Sequence, residues 1–72
     1  MMELIKKYES IETSLDLKRN GLTLADYRAL YGCLVDLHNG TPVYVITKSI
    51  AQWFKKNGAK VKTVACGWHI EL

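Results

Sequence analysis

Seventy-two residues, 49% hydrophobic and 24% charged, suffice for one hydrophobic core but not for a second domain, and this balance excludes an intrinsically disordered chain. No apolar run is long enough to span a bilayer, and the opening Met1-Met2-Glu3-Leu4-Ile5-Lys6-Lys7 lacks the apolar stretch of a secretion signal, so a soluble cytosolic protein without membrane contact is expected. The net charge of +3 is uneven: residues 1–40 carry five basic and six acidic side chains, whereas residues 41–72 set Lys48, Lys55, Lys56, Lys60 and Lys62 against Glu71 alone.

From Met2 to Arg19, the apolar side chains Leu4, Tyr8, Ile11 and Leu15 recur at helical spacing, with Ile5 at the edge of the stripe, and predict one continuous helix. Asn20-Gly21 ends it, because asparagine and glycine accept the left-handed backbone that closes a helix. A second helix opens at Thr23, whose hydroxyl caps the first turn while Asp26 complements the helix dipole. Its inward face reads Leu24, Tyr27, Leu30, Tyr31, Leu34 and Leu37. The short Gly21-Leu22 connection makes the two helices an antiparallel hairpin, with Tyr8, Ile11 and Leu15 against that face.

After Asn39-Gly40 and Thr41-Pro42 comes Val43–Thr47, rich in β-branched and aromatic residues and read as a strand. A helix starting at Pro42 competes, since Val43, Ile46, Ile50, Trp53 and Phe54 also share a helical stripe, but β-propensity favours the strand. A further helix from Lys48 to Asn57, with Thr47 in the capping position, turns Ile50, Trp53 and Phe54 inward. It turns Lys48, Gln52, Lys55 and Lys56 outward.

The chain ends in a predicted hairpin, Lys60–Ala65 and Trp68–Leu72 around Cys66-Gly67. It pairs Ala65 with Trp68, Val64 with His69, Thr63 with Ile70, Lys62 with Glu71 and Val61 with Leu72. This register places Val61, Thr63, Ala65, Trp68, Ile70 and Leu72 on one face, and Lys60, Lys62, Val64, His69 and Glu71 on the other. The expected fold is α+β: a two-helix hairpin followed by strand-helix-strand-strand, with a small three-stranded sheet. The pairing direction of the first strand is left open.

Two cysteines and two histidines match the ligand count of one zinc site, and Cys66 and His69 have the spacing of half a knuckle. Cys33 and His38, however, are five residues apart on a helix and point away from each other, so no metal and no cofactor are expected and both thiols are read as free. No phosphate-binding glycine loop, paired carboxylates or HExxH motif is present, and a chain this small has little room for a catalytic pocket, so an enzyme is not expected.

The basic residues of the C-terminal half are the functional candidate: Lys48, Gln52, Lys55 and Lys56 on the helix, extended by Lys60 and Lys62 at the start of the hairpin. Clustered lysines bind polyanions by releasing condensed counterions. The simpler reading is a solvated helix face. A helix followed by a β-hairpin is similar in layout to a winged-helix module, but the strand-like Val43–Thr47 interrupts that pattern, and the stripe holds no arginine to read guanine.

The expected function is therefore a small non-enzymatic binding protein whose basic half contacts nucleic acid or a nucleoprotein complex. The alternative is a stoichiometric protein inhibitor or adaptor, such as a phage or mobile-element protein that blocks a host nuclease, using exposed aromatic side chains and a sheet edge. Such an edge also offers a route to a homodimer.

Overall fold

In the computed structural model, which describes residues 1–72, the N-terminal segment forms two helices rather than one: α1, Met2–Glu9, and α2, Ser14–Arg19. The break has a local cause. Ser10 Oγ donates to the Lys7 carbonyl at 2.7 Å as α1 ends. Thr13 Oγ1 then accepts the Asp16 N–H at 3.2 Å, while Asp16 Oδ2 accepts the N–H groups of Glu12 and Thr13. This capping box starts a new helix and competes successfully with continuation of the old one. Leu15 consequently points outward, 54% exposed, and Ile11 and Leu22 are buried instead.

The second capping box, Thr23 with Asp26, opens α3, Leu24–His38, as expected. Only part of the expected inward face is covered: Leu30, Leu34 and Leu37 are buried, Tyr27 is half-buried, and Leu24 and Tyr31 are exposed. Tyr8 of α1 stacks on Tyr27 with ring centroids 4.5 Å apart. Burial, reinforced by the Tyr27 hydroxyl, pushes the Tyr8 phenol up to about 12.

The remaining elements follow the expected order: β1 Val43–Val45, α4 Lys48–Lys56, β2 Lys60–Val64 and β3 Gly67–Glu71. Three helices end on an Asn-Gly pair in which the residue after glycine donates back to a carbonyl of the last turn: Leu22 to Leu17, Thr41 to Asp36, and Ala59 to Phe54.

The sheet order is β1-β3-β2, and both pairings are antiparallel. Strand β3 is therefore central, and α4 carries the chain from one edge of the sheet to the other. The hairpin turns at Ala65-Cys66, not Cys66-Gly67, and pairs Val64 with Gly67, Thr63 with Trp68, Lys62 with His69, Val61 with Ile70 and Lys60 with Glu71. This is a two-residue slip from the expected register. Because side chains alternate with a period of two, the slip leaves both faces composed as expected and changes only the cross-strand partners.

Gly67 explains the difference. Its backbone runs so close to β1 that a Cβ there would overlap the Val45 carbonyl oxygen and sit 3.2 Å from the Ile46 Cα. The glycine is thus used for a close approach between strands, with φ at 152°, and not for the turn itself.

The core lies between α3, α4 and the inner face of the sheet. Trp53, Phe54, Leu30 and Ile70 are its most deeply buried large side chains, and Trp53 and Phe54 meet edge to face at 5.2 Å. Val43 and Val45 complete it from β1. The other sheet face carries no helix: Tyr44 is 64% exposed there, stacked on His69 at 4.6 Å. No helix is long and apolar enough to cross a membrane.

Candidate functional site

The start of helix α4 owes its position to burial and not to local signals. Its capping residue Thr47 makes no side-chain cap bond, and its first turn holds no acid. The missing anion comes from α3 instead. Asp26 Oδ2 accepts the Ser49 hydroxyl at 2.8 Å, in addition to the Thr23 N–H at 3.1 Å. The Thr23 N–H, helped by Ser49, holds the Asp26 carboxyl below the usual carboxylate range despite its burial. One carboxylate thus ties the start of α3 to the start of α4.

With Ile50, Ala51, Trp53 and Phe54 buried, the opposite face of α4 presents Lys48, Gln52, Lys55 and Lys56, all exposed. None of these three lysines has a carboxylate within 4.0 Å; the close contacts between basic side chains and carboxylates are confined to Glu71 with Lys62 and His69. Lys55 and Lys56 lie in the last turn, where the helix dipole favours a cation, but Lys48 lies in the first turn, where it does not. The helix gains nothing locally from Lys48.

Beside this face runs a groove of about 200 Å³ between α4 and the hairpin. Lys48, Gln52 and Lys55 form one wall, and Thr63 and half-buried Trp68 form the other, with Ala51 and Val61 between them. Trp68 is there because it shares the inner sheet face with Val61, Thr63 and Ile70 but lies nearer the hairpin tip, at the margin of the core it packs against. On the other flank of α4, Gln52 and Lys56 share a second cavity with Arg19, from the end of α2.

The hairpin lysines do not extend this surface. Lys60 and Lys62 stand on the sheet face turned away from α4, in register with Glu71 and His69. Lys62 Nζ is 3.6 Å from Glu71 Oε2, and Glu71 Oε1 is 3.3 Å from His69 Nδ1. The six residues singled out in the sequence therefore separate into an α4 group and an open-face group, the latter partly neutralised. Trp68 and Arg19 join the α4 group.

Cysteine and histidine side chains are dispersed. Cys33 is half-buried on α3, and burial, with the Asp36 charge, pushes its thiol up, away from thiolate reactivity. Cys66 is exposed at the hairpin turn, His38 is exposed at the end of α3, and His69 lies against Tyr44. No three His, Cys, Asp or Glu side chains gather into a metal-binding group.

Comparison of the chain with protein-family models, with curated proteins and with solved structures finds no match.

Proposed function

We propose that this chain is a small non-enzymatic binding protein that uses the outer face of α4 to contact the backbone of a nucleic acid, free or within a nucleoprotein complex. One observation carries the reading: Lys48, Lys55 and Lys56 project from one helix with no carboxylate to neutralise them, beside a groove walled by half-buried Trp68. Unpaired ammonium groups gain affinity from counterion release, and an indole at a groove wall gives an unstacked base a surface. That combination favours a single strand over a duplex. The free thiols of Cys33 and Cys66 fit a reducing, cytosolic setting.

A mixed-sequence single-stranded oligonucleotide is expected to be retarded in a gel at low salt, to be released at moderate salt, and to be ignored by a Lys48→Glu/Lys55→Glu variant. Free migration at low salt would remove the reading.

A second reading, capture of a protein partner, draws support from the open sheet face, where Tyr44 is 64% and Ile46 82% exposed. It predicts that Tyr44→Ala abolishes capture while the lysine changes leave it intact. The sheet edges favour neither this partner nor a homodimer: β1 is three residues long, and β2 carries Lys60 and Lys62.

A further inference from the structure

The cavity on the α2 side of α4, about 230 Å³, draws its walls from two parts of the chain: Arg19 and Asn20 from the end of α2, and Ser49, Gln52, Trp53 and Lys56 from α4. Its only ionic groups are a guanidinium and an ammonium. Asp16, held below the usual carboxylate range chiefly by the N–H groups of Glu12 and Thr13 and only slightly by Arg19, spends its carboxylate on those two N–H groups. Two of the polar side chains are committed elsewhere: Ser49 donates to Asp26, and Asn20 Nδ2 donates to the Asp16 carbonyl at 2.8 Å. Arg19, Gln52 and Lys56 keep their donors available.

A second observation is independent of charge. Trp53 is 2% exposed, and its Nε1–H is the one buried side-chain polar group of the molecule without a hydrogen-bond partner. A buried N–H without an acceptor is costly, and an anion entering this cavity is one way to supply the acceptor. Among the five principal cavities, this is the one that has Trp53 in its wall.

We propose that this cavity is a seat for one phosphate group, gripped by Arg19 and Lys56 with Gln52 as a neutral donor, and that seating the anion shifts the covering side chains so that the Trp53 Nε1–H, closed to solvent in the free chain, becomes the fourth donor. A tetrahedral dianion or diester offers enough oxygens for all four, and a guanidinium fork matches two of them at once. The source of the phosphate, a strand lying on α4 or a free phosphate, rests on the reading of α4 given above; the donor set does not.

The test follows the two indole N–H signals in ¹H–¹⁵N spectra, assigned with Trp68→Phe, while inorganic phosphate is added at constant ionic strength against a chloride control. The Trp53 signal is expected to move saturably with phosphate and not with chloride. Arg19→Gln, a change at an exposed position, is expected to weaken the effect roughly tenfold, the loss of one charge-assisted hydrogen bond. An indole that stays put, moves equally in chloride or is indifferent to Arg19→Gln overturns the seat.

Repeating the titration with a short oligonucleotide separates the sources. Weakening of strand binding by Arg19→Gln assigns the phosphate to the strand, and indifference, with the phosphate titration intact, assigns it to a free anion. The two readings also fail separately. Strand retention with an unmoved Trp53 indole removes only the seat, and a phosphate-responsive indole without strand retention removes only the α4 surface.

Discussion

Helices α1, α2 and α3 each open with an acid in the first turn, Glu3, Asp16 and Asp26, and their surfaces mix both signs of charge; α4 opens with Lys48 and carries no acid. The first arrangement is what local helix stability asks for. The second forgoes that help, so α4 must be held by what it buries and by the Asp26 carboxylate reaching it from α3. Where tertiary packing holds a helix, its outer face is released from helix-stabilising duties and can carry one sign of charge. The binding face proposed beside Trp68 draws on that freedom.

The contrast breaks most visibly in the core. Phe54→Ala, at a site with no exposure, is expected to cost about 3–5 kcal/mol. For a chain of 72 residues, whose total stability is roughly 4–11 kcal/mol, that is a large share of the folding free energy, read as a lowered midpoint of urea unfolding followed by circular dichroism. Leu15→Ala on α2, 54% exposed, is expected to stay within about 0.5 kcal/mol in the same urea titration followed by circular dichroism.

Gly67→Ala comes next, at about 1–3 kcal/mol, because the new methyl meets the Val45 carbonyl and must push β1 away from β3. Hydrogen exchange is expected to show the loss first in Val43–Val45.

Asp26→Ala removes an acceptor shared by two helix starts and is expected to cost about 2 kcal/mol at neutral pH. The folded chain holds this carboxyl below its usual value, so its contribution is complete above the unfolded carboxylate range, near about pH 4, and fades as pH falls through the lower folded value. The stability gap between wild type and variant is therefore expected to stay level from neutrality to about pH 5 and to close only in stronger acid.

Much of the fold is legible in the residues themselves. The Asn-Gly pairs mark helix ends, Thr23 with Asp26 marks a helix start, and alternation in Val61–Glu71 marks the inner and outer sheet faces. Two features are hidden for identifiable reasons. Thr13 and Asp16 repeat the spacing of Thr23 and Asp26, but the periodicity of Leu4, Tyr8 and Ile11 runs across the break and masks it. The glycine of the hairpin suggests a turn position, whereas its use is to let β1 approach β3, a contact between segments far apart in the chain. The α4 lysines are equally legible from helical spacing. The partition of Lys60 and Lys62 onto the far side requires knowing which sheet face α4 covers, and the arrival of Arg19 depends on how the broken N-terminal segment packs on α3, which sets the end of α2 beside α4.

The smallest effect on stability accompanies the largest expected effect on binding. Lys48→Gln is expected to change stability by less than about 0.5 kcal/mol, as befits an exposed side chain without partners. The decisive measurement is fluorescence anisotropy of a labelled single-stranded oligonucleotide over a salt series, comparing wild type, a Lys48→Gln/Lys55→Gln/Lys56→Gln variant and a Lys6→Gln/Lys7→Gln variant in α1. Wild-type affinity is expected to fall linearly with salt on logarithmic axes, with a slope made shallower by roughly 0.7 for each α4 lysine that neutralises a phosphate, while the α1 variant follows wild type. No binding at low salt, or an equal loss from the two variants, would contradict the assignment of the binding face to α4.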